Sequence, residues 1–323
     1  MGTGITAMGE LLADLTACGT NEDGFPVFSA HPGGAPANFL AAAAADGTPA
    51  AMIGKVGADA FGRMLKEELR RRGVRVSGVI EDPDVFTTLA FVTVGPDGSR
   101  EFSFARKPGA DTCLRPEETD MSLIARSAVF HFGTLSLTDE PSASALKAAA
   151  AEAKRLGVAV SVDPNYRPAL WPDGESARTA MEWALGQADI VKISGEELRF
   201  LRDAGPEEGA ERLLNEGARL VFVTLGADGC FAANARASVR LPVPAGLKAA
   251  DTTGAGDIFG GTAVSRFLKT GKKPEELERE ELEDIARYAN AAAALSVMRP
   301  GGMGSVPSPE EVAAVLRTGG RMR

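Results

Sequence analysis

Residues 251–257 combine a glycine-rich turn with an acidic side chain, and this combination can carry chemistry. The segment reads DTTGAGD, and the small, apolar residues that follow it predict a helix. A turn that opens a helix leaves backbone N–H groups unpaired at the positive end of the helix dipole, where they bind anions such as phosphate. Asp257 would repel a phosphate, so we interpret its carboxylate as a base that takes a proton from an attacking hydroxyl. The segment therefore indicates phosphoryl transfer to an alcohol, with an anion hole at Gly254, Ala255 and Gly256.

A second glycine-rich motif stands near the start of the chain. Residues 33–38 read GGAPAN, and a predicted alanine-rich helix and the segment IGKVGADAFG at 53–62 follow it. Gly33 and Gly34 let the backbone approach a ligand closely. The Asn38 amide offers both donors and acceptors, as binding of a polyol requires. Taken alone, this motif also fits an ordinary turn with an Asn in the first turn of a helix.

Together the two motifs resemble the signatures of the ribokinase-like (PfkB) family of carbohydrate kinases, and the resemblance covers roughly residues 5 to 315. It implies an α/β, ribokinase-like three-layer fold with a mostly parallel central sheet and a small β lid over the sugar site. It also implies ATP-dependent phosphorylation of a sugar primary hydroxyl. The segment KISGEE at 192–197 is similar to that of fructokinases, and the bacterial fructokinases are the part of the family that the chain resembles most. The expected reaction is therefore fructose to fructose 6-phosphate.

The same resemblance implies the remaining site residues. The expected sugar ligands are Asp14, Gly33, Gly34, Asn38, Arg106, Arg167 and Asp257. The expected nucleotide ligands are Lys192, Ser194, Glu197, Thr224, Gly226, Gly229, Gly256 and Asn290. Glu197 is expected to help hold magnesium, partly through water. The expected oxygen ligands of a potassium ion are contributed by Asp251, Thr253, Ser296, Arg299, Gly301 and Ser305. The expected cofactors are thus ATP, Mg²⁺ and K⁺.

Several of these assignments have alternatives. Asp14 fits a solvent-facing turn, Arg106 fits a surface salt bridge, and residues 224–229 fit a turn between strands. The segment DPNYR at 163–167 also occurs in 2-keto-3-deoxygluconate kinases, whose substrate carboxylate Arg106 and Arg167 could bind. Such a kinase, or another sugar kinase of the family, is therefore the second hypothesis. A catalytically idle sugar-binding regulator is the third, although binding alone does not need a base.

Composition indicates a globular protein that acts on small molecules. The chain has 323 residues, 24% of them charged, with a formal net charge of −9 and a pI near 5.0. No basic run or long apolar stretch is present, so nucleic acid and membranes are not expected partners. Three widely spaced cysteines form no metal or disulfide pattern, which favours a cytoplasmic location. The sequence contains no Walker phosphate loop, no dinucleotide fingerprint and no pair of histidines at metal-binding spacing.

Short apolar runs alternate with helical patterns, which predicts a mostly parallel sheet with helices on both faces. Strands are predicted at 50–56, 129–132, 158–162, 190–193 and 220–225, and helices at 36–45, 61–72, 142–156, 175–185, 209–216, 257–268 and 281–297. The β segments 8–31 and 86–106 break this alternation, and the second predicts a hairpin with its turn at 95–98. Both are expected to form a lid within one kinase domain that spans 1–323. An exposed face of this lid could pair two subunits as a homodimer.

Overall fold

Two β-sheets organise the computed structural model, which describes residues 2–94 and 100–318. The strands in this part of the chain are β1 (Ile5–Met8), β2 (Leu12–Thr20), β3 (Pro26–Gly33), β4 (Ala50–Gly57), β5 (Val74–Asp82), β6 (Thr88–Val94), β7 (Arg100–Ala105), β8 (Val129–Gly133), β9 (Ala159–Asp163), β10 (Ile190–Ser194), β11 (Leu220–Thr224), β12 (Cys230–Asn234) and β13 (Ser238–Leu241). Nine of them form a central sheet in the order β13-β12-β11-β10-β9-β8-β1-β4-β5. All neighbours from β11 to β5 are parallel, whereas β12 and β13 add an antiparallel edge.

Helices cover both faces of the central sheet. They are α1 (Ala35–Ala45), α2 (Ala60–Arg71), α3 (Met121–Ala125), α4 (Ser142–Leu156), α5 (Gly174–Leu185), α6 (Gly195–Arg202), α7 (Pro206–Asn215), α8 (Ala255–Lys269), α9 (Arg279–Ser296) and α10 (Pro309–Thr318). Side chains alternate between the faces of a strand, so Leu220 and Phe222 of β11 join the core under α1, α8 and α9. Val221 and Val223 join the core under α4 to α7. The sheet is therefore the middle of three layers.

The remaining four strands form a second, smaller sheet in the order β3-β2-β6-β7. Strand β2 pairs antiparallel with β3 and parallel with β6, and β6 and β7 form a hairpin. We call this assembly the small sheet. It comes from the two predicted lid segments, but Met8 ends β1 of the central sheet, and the small sheet begins at Leu12. The predicted turn at 95–98 lies outside the described residues.

The predicted α/β architecture is confirmed, and every strand and helix predicted from the sequence is present, most of them with small shifts at their ends. The sequence reasoning missed strands β1, β5, β12 and β13 and helices α3, α6 and α10. None of the helices in the described ranges is long and apolar enough to cross a membrane. In a parallel sheet the carboxyl ends of the strands meet at one edge, where ligands bind. Asp163, Ser194 and Thr224 end three adjacent strands at that edge.

Candidate active site

The glycine-rich turn opens helix α8, as the sequence predicts. Gly254 is the N-cap residue and has φ 77°, a left-handed conformation that glycine adopts without the penalty of a Cβ atom. Gly254 has no side chain with which to cap the helix. The Ala255 N–H makes a long hydrogen bond of 3.3 Å to the Thr252 carbonyl, and the start of α8 carries the partial positive charge that suits an anion. Asp257 lies in this first turn, with its side chain buried.

Asn38 holds the Asp257 carboxylate from helix α1. Its Nδ2 donates a hydrogen bond to Oδ2 of Asp257 over 2.9 Å, and both residues are buried. Burial raises the pKa of Asp257 above its usual value, while the charge of Lys192 and the Asn38 hydrogen bond act to lower it. A raised pKa makes a carboxylate a better base near neutral pH. Within the described residues, Oδ1 of Asn38 is buried without a partner, so it can accept a hydrogen bond from a ligand hydroxyl.

The small sheet brings a second carboxyl to the same place. Asp14 of β2 lies close enough to Asp257 and Arg167 for their charges to affect its pKa, which burial raises to about 7. A Cβ atom on Gly33 would lie 2.2 Å from Oδ2 of Asp14, so residue 33 must be glycine for Asp14 to keep this position. Arg167 is exposed, and its charge acts on both Asp14 and Asp257. The predicted sugar ligands Asp14, Gly33, Asn38 and Arg167 are thus gathered around the base.

Lys192 approaches the turn from the central sheet. Its buried ammonium lies 2.8 Å from Oδ2 of Asp163, and a Cβ atom on Gly256 would lie 2.7 Å from Nζ. Burial acts to lower the pKa of Lys192, but Asp163, Glu197 and Asp257 outweigh it and leave the pKa raised. The side chain is therefore a cation held against the first turn of α8.

Ser194 and Glu197 form a capping box at the start of α6. The Ser194 N–H and hydroxyl both donate to Oε2 of Glu197 over 2.8 Å, and the Tyr166 N–H donates to Oε1 over 2.7 Å. Both carboxylate oxygens of Glu197 are already engaged by protein hydrogen-bond donors. This arrangement fits a Glu197 that contacts the water shell of a magnesium ion and not the ion itself. No cluster of three or more His, Cys, Asp or Glu that could hold a metal occurs in the described ranges.

The other predicted nucleotide residues lie further along the sheet edge. Thr224 is opposite Ser194 in the β10–β11 register, and Gly226 and Gly229 form the turn to β12 with φ 59° and 93°. Residues 224–229 therefore do connect two strands, β11 and β12, as the alternative interpretation of the sequence stated. Asn290 of α9 is buried, and its Nδ2 donates to the Pro242 carbonyl over 2.8 Å.

The residues predicted for potassium come from two segments that pack together. The Asp251 carboxylate accepts the Thr253 N–H over 2.9 Å and the Gly301 N–H over 3.0 Å, and the Asp251 N–H donates to the Val297 carbonyl. The hydroxyls of Ser296 and Ser305 donate to nearby carbonyls. The Arg299 guanidinium instead pairs with Glu311. The carboxylate, hydroxyl and carbonyl oxygens of these segments suit a hard monovalent cation.

Arg106 is buried, and this differs from the surface salt bridge that the sequence left open. Its Nε donates to Oδ2 of Asp111 over 2.9 Å, and its terminal nitrogens donate to the Thr138 hydroxyl and the Leu135 carbonyl. These bonds tie the end of the small sheet to the loop after β8. A contact between Arg106 and a sugar stays a prediction.

Sequence reasoning missed three buried polar residues near the site. Glu10 accepts the Ala35 N–H over 2.9 Å with Oε1, its Oε2 has no partner among the described residues, and burial raises its pKa to about 7. His131 stacks on Phe39 with ring centroids 3.6 Å apart, and burial together with the charge of Lys192 lowers its pKa to about 3. Asp163 was noted only as part of a motif. A single acidic residue within an apolar run, as at Glu10, is the signal that could have been used.

A buried carboxylate beside a helix N-terminus, with polar groups that suit a polyol, is the arrangement expected of a phosphotransferase that acts on an alcohol. The family model described as "pfkB family carbohydrate kinase" matches residues 3–309. The chain therefore belongs to the pfkB family, and it is a carbohydrate kinase.

Several similar proteins are named fructokinases. Fructokinase-1 of rice, Oryza sativa subsp. japonica, is 41% identical over 321 residues, which cover 97% of this chain and 98% of the rice protein. The structure of fructokinase from Xylella fastidiosa with bound ATP has a TM-score of 0.89 and 31% identity, covering 98% of this chain and 99% of that one. Fructokinase from Vibrio cholerae with fructose, ADP and a calcium ion has a TM-score of 0.86 and 31% identity, with 97% and 99% covered. A double mutant of the Vibrio enzyme was solved with fructose, ADP and a potassium ion; its TM-score is 0.84 at 30% identity, with 98% and 99% covered.

Proposed function

We propose that this carbohydrate kinase transfers the γ-phosphoryl group of ATP to the primary hydroxyl of fructose and forms fructose 6-phosphate. The observation that carries the proposal is the Asp257 carboxylate at the N-terminus of α8, held by Asn38 and faced by Asp14. The rice protein named fructokinase is 41% identical over nearly the full length of both chains, which supports fructose as the substrate.

In the proposed reaction, Asp257 takes the proton of the sugar hydroxyl. The hydroxyl oxygen forms a bond to the γ-phosphorus while the bond from that phosphorus to the bridging oxygen breaks, and ADP keeps the bridging oxygen. The backbone N–H groups of Gly254, Ala255 and Gly256 stabilise the charge on the transferring group. Asp14, Gly33, Gly34 and Oδ1 of Asn38 orient the sugar.

Two metal ions are part of the proposal. Magnesium would neutralise the phosphate oxygens when bound, with Glu197 contacting its water shell. Potassium would fix the geometry of the turn through oxygens of residues 251–253 and 296–305. The potassium-bound Vibrio fructokinase supports this second ion. Thr224, Gly226, Gly229 and Asn290 are proposed to line the remainder of the ATP site.

A second candidate substrate is 2-keto-3-deoxygluconate. The exposed Arg167 guanidinium favours it, because a guanidinium binds a carboxylate in two-point geometry. Arg106 favours it less, since the structure already pairs that side chain with Asp111.

A panel of sugars and sugar acids assayed with magnesium-ATP tests the substrate. We expect kcat/KM for fructose to exceed that for 2-keto-3-deoxygluconate at least about tenfold, which corresponds to about 1.4 kcal/mol of transition-state binding. A preference for the sugar acid that Arg167→Ala abolishes would replace fructose but keep the kinase. Absence of ADP formation with every compound would favour the idle sugar-binding regulator.

We further propose that the protein forms a homodimer through the small sheet and that it acts in the cytoplasm. Phe25 and Val27 are exposed large apolar residues at the β2–β3 hairpin, with Phe25 67% exposed. Light scattering should report a dimer that Phe25→Ser weakens, whereas the matched control Leu156→Ser, on helix α4, should leave it intact. A monomeric wild-type protein at micromolar concentration would contradict the dimer.

A further inference from the structure

Lys192 is a charged side chain that packs directly against the first turn of α8. It comes from β10, a central strand of the sheet, and it is buried. The Cβ position of Gly256 lies 2.7 Å from Nζ and 3.4 Å from Cε, so the ammonium is in van der Waals contact with the backbone of the first turn of α8. A side chain at position 256 would push the ammonium away.

The charges around Lys192 are mainly negative. Asp163, Glu197 and Asp257 all lie close enough to raise its pKa, and Asp163 accepts its hydrogen bond over 2.8 Å. An ammonium carries three N–H donors. Within the described residues the hydrogen-bond acceptor of this ammonium is Asp163 alone, so two donors remain for a ligand.

Lys192 lies on the side of Asp257 that we propose for the nucleotide. Ser194, two residues further along β10, faces Thr224 of β11 across the sheet edge, whereas Asp14 and Arg167 approach Asp257 from the sugar side. In the proposed reaction, the phosphoryl group that moves from ATP to the sugar passes the first turn of α8. The ammonium group of Lys192 lies at this turn.

We infer that Lys192 is a catalytic residue that donates hydrogen bonds to the transferring γ-phosphoryl group, and that Asp163 is a positioning residue that aims it. The inference rests on the proposed phosphoryl transfer. Lys192 forms and breaks no covalent bond: the sugar oxygen bonds to the γ-phosphorus, ADP leaves with the bridging oxygen, and Asp257 takes the proton. The ammonium group offsets the negative charge on the equatorial oxygens of the transferring phosphoryl group. Positively charged side chains stabilise the transition state of phosphoryl transfer in this way.

The competing explanation is that Lys192 only neutralises the buried Asp163 carboxylate. Removing one partner of a buried pair destabilises a protein, but removing both often does not. The two explanations therefore differ for the double variant Lys192→Met with Asp163→Asn, which carries neither charge.

The test measures kcat, the KM for each substrate, ATP affinity by calorimetry and urea unfolding for the wild type, the two single variants and the double variant. Lys192→Met should lower kcat by about 10²- to 10³-fold, as loss of one charged or oriented donor does in other enzymes. ATP affinity should change by less than about fivefold, because the contact strengthens only in the transition state. Lys147→Met, an exposed lysine on α4, is the matched control and should behave as wild type.

The double variant decides between the explanations. If Lys192 acts on the phosphoryl group, the double variant regains unfolding stability relative to Lys192→Met but stays as inactive as that variant. Asp163→Asn alone should lower kcat with little change in KM, and it should add nothing once Lys192 is gone. Recovery of more than half of the wild-type kcat in the double variant would overturn the inference. A wild type without sugar-kinase activity would instead overturn the proposed function.

Discussion

Replacing Asp257 with Asn removes the proposed base while keeping the size of the side chain. Loss of a general base costs about 10²- to 10⁴-fold in rate, which corresponds to about 3 to 5.5 kcal/mol in the barrier. The structure predicts that the protein tolerates the change. The introduced amide would face the Asn38 NH₂ group, but Asn38 can rotate by 180° and present Oδ1, which has no partner among the described residues. The change also removes a buried carboxylate whose pKa burial raises, so unfolding stability should not fall.

The assay separates chemistry from binding. ADP formation with fructose and magnesium-ATP gives kcat, while calorimetry gives the affinities for fructose and for ATP. We expect kcat to fall about 10²-fold or more, with both affinities within about threefold of wild type. Asp284→Asn, on the exposed face of α9, is the control and should keep full activity. A kcat of half the wild-type value in Asp257→Asn would refute the role of this residue as the base.

Three further predictions follow from buried charges and from the small sheet. The pKa of Glu10 is raised from 4.5 to about 7, so the folded protein binds its proton more tightly than the unfolded chain and loses stability as pH rises through this window. The free energy of unfolding of Glu10→Gln, measured with urea, should therefore exceed that of the wild type by up to about 3 kcal/mol at pH 8 and equal it at pH 4. A difference in unfolding free energy that stays constant between these pH values would contradict the raised pKa. Arg106→Ala leaves the Asp111 carboxylate buried and unpaired, so it should destabilise the fold by about 3–5 kcal/mol, and unchanged urea unfolding would show that the pair is not structural. Hydrogen exchange in β2, β3 and β6 should slow when fructose binds if the small sheet closes as a lid, whereas equal exchange with and without fructose would count against closure.

Local patterns in the sequence were sufficient for the architecture and for the anion hole. The run at 251–257 contains the turn, the helix start and the base together, so no long-range information was needed to find them. The β segments at 8–31 and 86–106 interrupt the alternation of strands and helices, and this interruption was enough to indicate a separate sheet. Short or edge strands were missed, because β1 has four residues and β12 and β13 resemble turn-flanked loops.

Contacts between distant residues could not be predicted in the same way. Asn38 and Asp257 are separated by 219 positions, and only the folded chain shows that the amide predicted to bind sugar also holds the base. Lys192 and Asp163 are 29 residues apart, so their ion pair could not be predicted from the sequence either. Arg106 was expected to contact substrate because of the family resemblance and its place at the end of a hairpin. Its burial and its pairing with Asp111 depend instead on the packing of the loop after β8.

The central claim is that the chain moves the γ-phosphoryl group of ATP to a sugar hydroxyl and not to water. Incubation of the protein with fructose, magnesium and ATP labelled with ³²P in the γ-phosphate measures this transfer directly. The proposed function predicts that the label appears in fructose 6-phosphate in equal amount to the ADP formed, and that Asp257→Asn suppresses both products together. Label recovered as inorganic phosphate, or absent from every sugar product, would contradict it.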